Sequence, residues 1–179
     1  MALTLLLGGA RSGKSALAAR LAAAEAATRP VVVVVTGEAR DDEMAARIAR
    51  HQAERPPAWA TVQAPIDLAA AISAARRDAF VIVDCLTLWV ANLSARHGDD
   101  EVLTLARRTA DLAAARPAPT VAVSNEVGSG IVPFDPAVRA WRDLLESVNA
   151  IWATAADRAA LVVAGRVVRL ERAEEVLGG

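Results

Sequence analysis

The feature that most constrains this chain is an alternation between two kinds of segment. Five apolar runs of strand length recur: LTLLLG (Leu3 to Gly8), VVVVVT (Val31 to Thr36), FVIVD (Phe80 to Asp84), TVAVSN (Thr120 to Asn125) and ALVVAG (Ala160 to Gly165). Each is continuously apolar, the pattern of a strand buried on both faces. Between them lie alanine-rich segments with helical spacing, near Ser15 to Ala27, Asp42 to Ala53, Leu68 to Arg76, Asp100 to Ala115 and Pro136 to Ala155. Strand, helix, strand in repetition predicts an α/β fold with a mostly parallel sheet flanked by helices, because parallel neighbours need a crossover and a helix supplies it. Asp67 and Asp135 stand where helix caps belong, Pro136 at a first helical position, and Pro117 and Pro119 bound the fourth run. Val167 to Leu170, after Gly165 and Arg166, suits an antiparallel edge strand. Residues 1–179 read as one domain without linker or repeat.

Composition narrows the function classes. Hydrophobic residues make up 54% and charged residues 23% of the chain, which suits a globular protein with a sizeable core. No apolar run is long enough to span a bilayer, and the apolar start leads into a glycine-rich loop without the basic flank of a signal peptide. One cysteine, Cys85, excludes an intrachain disulfide, and with two histidines it makes no convincing structural zinc site. A cytoplasmic location fits best. A net charge of −1 gives no electrostatic footprint for nucleic acid. Of the 20 basic residues the only lysine is Lys14; the other 19 are arginine. A site that needs a compact point charge rather than a planar fork is the simplest reason for that exception.

Lys14 lies in GGARSGKS, residues 8–15, which fits G-x-x-x-x-G-K-[ST] and sits between an expected strand and an expected helix. That pattern predicts a phosphate loop. Its nucleotide-binding positions are Gly8, Gly9, Ala10, Arg11, Ser12, Gly13, Lys14 and Ser15. The glycines let backbone N–H groups face phosphate oxygens, Lys14 reaches the β- and γ-phosphates, Ser15 can ligate Mg²⁺, and the following helix adds its dipole. The dinucleotide pattern G-x-G-x-x-G is absent. Asp84 ends the third apolar run, where a carboxylate beside a phosphate loop can hold Mg²⁺; the competing reading is a helix N-cap, since DCLTLW continues at helical spacing. Thr87 is a weaker candidate beside it. With the one lysine committed, the guanine-reading motif N-K-x-D cannot occur. A kinase for a small alcohol and a nucleotide-sensing module both remain open on these residues alone.

Four segments together carry more. GGARSGKS, DDEMAARIARHQAERPPAW, VDCLTLWVANL and SNEVGSGIVP, in this order from residue 3 to about residue 165, closely resemble the bifunctional adenosylcobinamide kinase / adenosylcobinamide-phosphate guanylyltransferase family of cobalamin biosynthesis. The phosphate loop is generic, whereas R-I-x-x-H-x-x-x-R-P-x-x-W and S-N-E-V-G-x-G-I-V-P are specific. The resemblance implies phosphorylation of adenosylcobinamide by ATP or GTP. It then implies transfer of GMP from GTP onto adenosylcobinamide phosphate through a guanylyl group on a histidine, which falls at His51. It also implies nucleotide contacts at Val35, Thr36 and Gly37, at Gln52, Ala53, Glu54 and Arg55, and at Gln63 and Asp84. Mg²⁺ would be held by Ser15 and Asp84, and the assembly would be a homotrimer. Gln63 stands where the family is expected to carry glutamate, so a charge is missing there.

The chemistry suits that carry-over. A neutral imidazole can attack Pα while pyrophosphate leaves, giving a P–N bond reactive enough to pass GMP on. Arg47, Arg50 and Arg55 flank His51 at −4, −1 and +4, and on a continuing helix the first and last would share its face. Without the family pattern, His51 would read as a solvated helix residue. His97, in the polar turn SARHGDD, reads as solvated. Trp89, Trp141 and Trp152 fall on expected helices and read as core or subunit-interface anchors. Trp59 belongs to the family pattern and reads either way.

Overall fold

A computed structural model describes residues 3–39, 42–53 and 55–178, without the side chains of Glu43, Met44, Arg47, Ile48, Arg50 and His51. The five apolar runs become β1 (Leu3–Gly8), β2 (Val31–Val35), β4 (Phe80–Asp84), β5 (Thr120–Asn125) and β6 (Arg158–Val163). Two strands join them, β3 (Ala60–Gln63) and β7 (Arg166–Leu170). The sheet order is β3-β2-β4-β5-β1-β6-β7, parallel except for the β6–β7 hairpin at one edge, as the sequence suggests. β3 escapes sequence reading because its four residues are all exposed, leaving no apolar run to detect. β6 also departs from expectation: it begins earlier, and only Val162 in it is buried, because its outer neighbour is the exposed edge strand β7.

The helices are α1 (Lys14–Glu25), α2 (Asp42–Ala53), α3 (Leu68–Ala74), α4 (Leu86–Ser94), α5 (Asp99–Ala114), α6 (Pro136–Ala155) and the short α7 (Ala173–Leu177). The expected caps form: Asp67 Oδ1 accepts from Ala70 N at 2.9 Å, and Asp135 Oδ1 from Ala137 N at 2.7 Å. Each satisfies an amide that has no partner within its own helix. The N-cap of α4 is Cys85, so Asp84 is not spent on capping.

The side-chain period of two divides the core between the two faces of the sheet. Leu3, Leu5 and Leu7 of β1 join Val34, Val81 and Val83 against α3, α4, α5 and α6. Leu6 joins Val31, Val33, Val35, Phe80 and Ile82 against Ala18 and Ala22 of α1. Trp89 and Trp152, 1% and 0% exposed, anchor the first cluster, and Trp141 packs partly buried beside it. His97 is not simply solvated: its Nδ1 lies 3.1 Å from Glu101 Oε1. On the second face α1 crosses β1, β5 and β4. The sheet beside it, over β2, is left to form the floor of a cleft.

Candidate functional site

The cleft lies where α1 begins, outside the carboxyl ends of the strands, the usual ligand position in an open α/β sheet. Its volume is about 650 Å³, and residues 10–16 form one end of it. Two glycines make that loop possible. Gly13, at φ 100°, sits in the left-handed region, and a Cβ there would lie 3.3 Å from Gly165 Cα. A Cβ on Gly8 would collide with the carbonyl oxygen of Val162. The loop is tied down from outside as well: Gly165 N donates to Ser12 O at 2.8 Å, and Glu126 N to Gly8 O at 3.2 Å. Lys14, 7% exposed, donates from Nζ to Gly9 O at 2.9 Å, which holds the ammonium over the hollow of its own loop. Ser15 is exposed in the cleft, and the Ser12 hydroxyl is buried without a hydrogen-bond partner among the described residues.

Opposite the loop stand Arg55, Pro56 and Trp59, with Asp84 between the two walls and Val33 and Ile82 beneath. Arg55 departs from expectation. α2 ends at Ala53, so Arg55 does not continue the helix; it turns into the cleft, and its Nη2 lies 3.5 Å from Asp84 Oδ2. Glu54 and the His51, Arg47 and Arg50 side chains lie outside the described residues. Their shared-face geometry is therefore not described. Gln52 and Ala53 are exposed at the end of α2.

Val35 pairs with both Asp84 and Gln63, which brings three strand ends to one level. Of the three, only Asp84 lines the cleft. Gln63 is exposed on the edge strand. Thr36 is fully buried and engaged within the fold: its Oγ1 donates to Cys85 O at 2.6 Å and accepts from Cys85 N at 3.0 Å, while its carbonyl accepts from Asn92 Nδ2 at 2.7 Å. Gly37 follows it just beyond β2 and is also buried. Thr87 is likewise a structural tie, accepting from Asn125 N at 2.8 Å. Asn125 itself reaches the cleft. Burial, with the Asp84 carboxylate beside it, pushes the Cys85 thiol above its ordinary value, so at neutral pH it is a protonated, poor nucleophile.

The charge pattern fits a polyanion. Arg11, Lys14, Arg20 and Arg55 face the cleft against one carboxylate, Asp84, in a protein whose net charge is −1. Sequence reasoning passes over Arg20, Val33 and Ile82. The signals were there: Arg20 shares a face of α1 with Ala16 and Ala19, and Val33 and Ile82 occupy alternate positions of their strands.

A parallel sheet with a glycine-rich, lysine-bearing loop at the start of its first helix defines a P-loop nucleotide-binding α/β protein. Solved structures agree on the fold. The Pyrococcus horikoshii protein PH0250 superposes with a TM-score of 0.58 at 8% identity, over 99% of this chain and 89% of that one. The flagellar accessory protein FlaH of Methanocaldococcus jannaschii gives 0.52 at 17%, over 93% and 74%. Within that class, residues 4–170 match the family model described as cobinamide kinase / cobinamide phosphate guanyltransferase, and the chain belongs to that family. The bifunctional adenosylcobalamin biosynthesis protein CobP of Pseudomonas aeruginosa is 40% identical over 166 residues, covering 90% of this chain and 92% of its own. Its counterpart CobU of Salmonella typhimurium is 37% identical, covering 93% and 98%. The protein is thus an enzyme of the cobinamide kinase and guanylyltransferase type, as the four sequence segments suggest.

Proposed function

We propose that this enzyme phosphorylates the aminopropanol hydroxyl of adenosylcobinamide with ATP or GTP, and then guanylylates the product through His51. In the first step the acceptor hydroxyl attacks Pγ, the bond from Pγ to the bridging oxygen breaks, and a nucleoside diphosphate leaves. In the second step imidazole nitrogen attacks Pα of GTP, a P–N bond forms and pyrophosphate leaves. A phosphate oxygen of adenosylcobinamide phosphate then attacks the same phosphorus, breaking the P–N bond and giving adenosylcobinamide-GDP. Splitting the transfer into two displacements lets one nucleophile meet GTP and another meet the corrinoid.

The observation that carries this reading is the cationic cleft, in which Lys14 and Ser15 lie across from Arg55 and Asp84. The loop amides and Lys14 hold the β- and γ-phosphates. Arg55 neutralises charge on the phosphorus being transferred. The Ser15 hydroxyl and Asp84 carboxylate are hard oxygen donors of the kind Mg²⁺ takes, and these residues would hold the ion. When bound, Mg²⁺ supplies charge neutralisation across the phosphates. Val35 to Gly37, Gln52 to Arg55 and Gln63 contribute nucleotide contacts in this reading.

Subunit association is supported by Ile131, Val132 and Phe134, which are 97%, 64% and 100% exposed on a loop that follows the cleft residue Asn125, and the homotrimer itself rests on the family resemblance. Among the described residues no helix is long and apolar enough to cross a membrane, in keeping with a cytoplasmic enzyme.

Product analysis tests the reading. Protein given adenosylcobinamide, Mg²⁺ and GTP is expected to yield the phosphate with GDP, and then the guanylylated corrinoid with pyrophosphate. Phosphorylated corrinoid accumulating with no pyrophosphate released would leave a kinase only. No change in the corrinoid, in protein that binds GTP, would favour a nucleotide sensor.

A further inference from the structure

Beyond the phosphate loop the cleft continues down the face of the sheet. Its floor there is apolar, Val33 and Ile82; one wall is Ala16 and Ala19 of α1, and the other is Pro56 and Trp59. Trp59 is half-buried, its packing against the smaller core cluster fixing its place. Two small side chains, an indole and an apolar floor line this part of the cleft, and such groups suit the faces of an aromatic ring. At its rim is Arg20, exposed and, among the described residues, with no hydrogen bond or ion pair. Arg20 lies six residues beyond Lys14, so its Cα is about 9 Å further along the helix axis. A nucleotide anchored by its phosphates at Lys14 would have its base in this lower half of the cleft.

We propose that Arg20 selects guanine over adenine in the donor nucleotide and that Trp59 is the platform on which the base stacks. The guanidinium has donors only. Guanine presents two acceptors on one edge, O6 and N7, whereas adenine presents N7 beside an amino group that is itself a donor. Arg20 therefore completes two hydrogen bonds with guanine and meets a second donor on adenine. Stacking on Trp59 is indifferent to which purine is present. The two residues divide the work: Trp59 supplies affinity for any purine and Arg20 supplies the choice. This inference rests on the proposed binding of the donor phosphates at the loop.

Calorimetric titration of the full-length protein with Mg²⁺ tests it. The ligands are the α,β-methylene analogues of GTP, ITP, ATP and 2-aminopurine riboside triphosphate. GTP and ITP carry O6; the other two do not. Arg20→Ala is expected to weaken GTP and ITP by about tenfold to a hundredfold while changing the other two by less than about twofold. Trp59→Ala is expected to weaken all four together, with Trp59→Phe restoring most of the loss. If Arg20→Ala weakens all four equally, the residue is a general phosphate contact and the inference falls. If the preference for GTP survives Arg20→Ala, it falls as well. Lys14→Ala separates the two levels: it is expected to abolish binding of every analogue. If wild-type protein binds none of them, the phosphate-site reading fails and takes this inference with it.

Discussion

The wall of the cleft that runs from Gly8 to Arg20 and the wall that runs from Arg55 to Gln63 face one ligand space but are held in different ways. The first rises from β1, whose leucines are buried on both faces of the sheet. Its loop is fixed by backbone fit, with Gly8 under the Val162 carbonyl, Gly13 against Gly165, and hydrogen bonds from Gly165 and Glu126. The second hangs from an exposed edge strand that, among the described residues, pairs only with β2. Its ties include two turn hydrogen bonds, Arg55 N to Gln52 O at 3.2 Å and Trp59 N to Pro56 O at 3.0 Å, the long Arg55 contacts to Asp84 at 3.5 Å and Thr61 at 3.4 Å, and the packing of Trp59 on the smaller core cluster. Segments with few buried contacts sit at the low-stability end of a fold. The phosphate end of the site is thus shaped before any ligand arrives, while the opposite end is defined by a few side chains. Substitutions in the phosphate loop itself are therefore expected to act on every reaction, and substitution of Arg55 to act on a particular step.

The largest effect is expected from Lys14→Ala. It removes the loop's one ammonium and should lower kcat/KM of both the kinase and the guanylyl-transfer reactions by at least about 10²-fold. Loss in one reaction only, measured with each acceptor separately, would break the idea of a shared phosphate end. Arg116→Ala probes the far side of the sheet. That guanidinium is 8% exposed and donates to Ile72 O, Ala75 O, Arg76 O and Ala79 O at 3.1, 3.3, 2.8 and 2.9 Å, closing the end of α3. Leaving those carbonyls without their donor should cost about 2–3 kcal/mol in denaturant unfolding, with nucleotide affinity of the folded protein unchanged. A matching loss of affinity would mean that the cleft depends on α3.

Arg55→Ala should raise KM for GTP in guanylyl transfer by about tenfold, since a charge-assisted contact is lost in a partly exposed site. An equal effect on the kinase step with ATP would erase the contrast between the walls. Smallest is Gln63→Glu, which places a carboxylate at an exposed edge-strand position outside the cleft lining. It should change nucleotide KM by less than about twofold. A larger shift would mean that the nucleotide contact proposed for Gln63 depends on charge.

The same contrast explains what could be read from the sequence. β1, β2, β4 and β5 were legible because strands buried on both faces must be continuously apolar, and the phosphate loop because its backbone shape demands glycines at set positions. β3 was not legible, since an exposed edge strand of four residues carries no such demand. The course of Arg55 was missed for a related reason: helical spacing of arginines says nothing about where the helix ends, and Pro56 and Pro57 were the better guide to its stop after Ala53. The Thr36 and Thr87 hydroxyls hold strand ends together, a use that sequence spacing does not show. Trp59 and Arg20 come to line one cleft only in the folded chain, 39 positions apart, and neither spacing nor composition relates them.

The central claim is that one chain uses its phosphate loop for two transfers and His51 for only the second. The most direct measurement incubates the protein with Mg²⁺ and GTP labelled separately at the α and γ phosphorus, denatures it, and counts protein-bound label, with His51→Ala alongside. The account expects acid-labile, alkali-stable label from the α position only, absent in the variant. Label retained in His51→Ala, or none in wild-type protein shown to bind GTP, would contradict it.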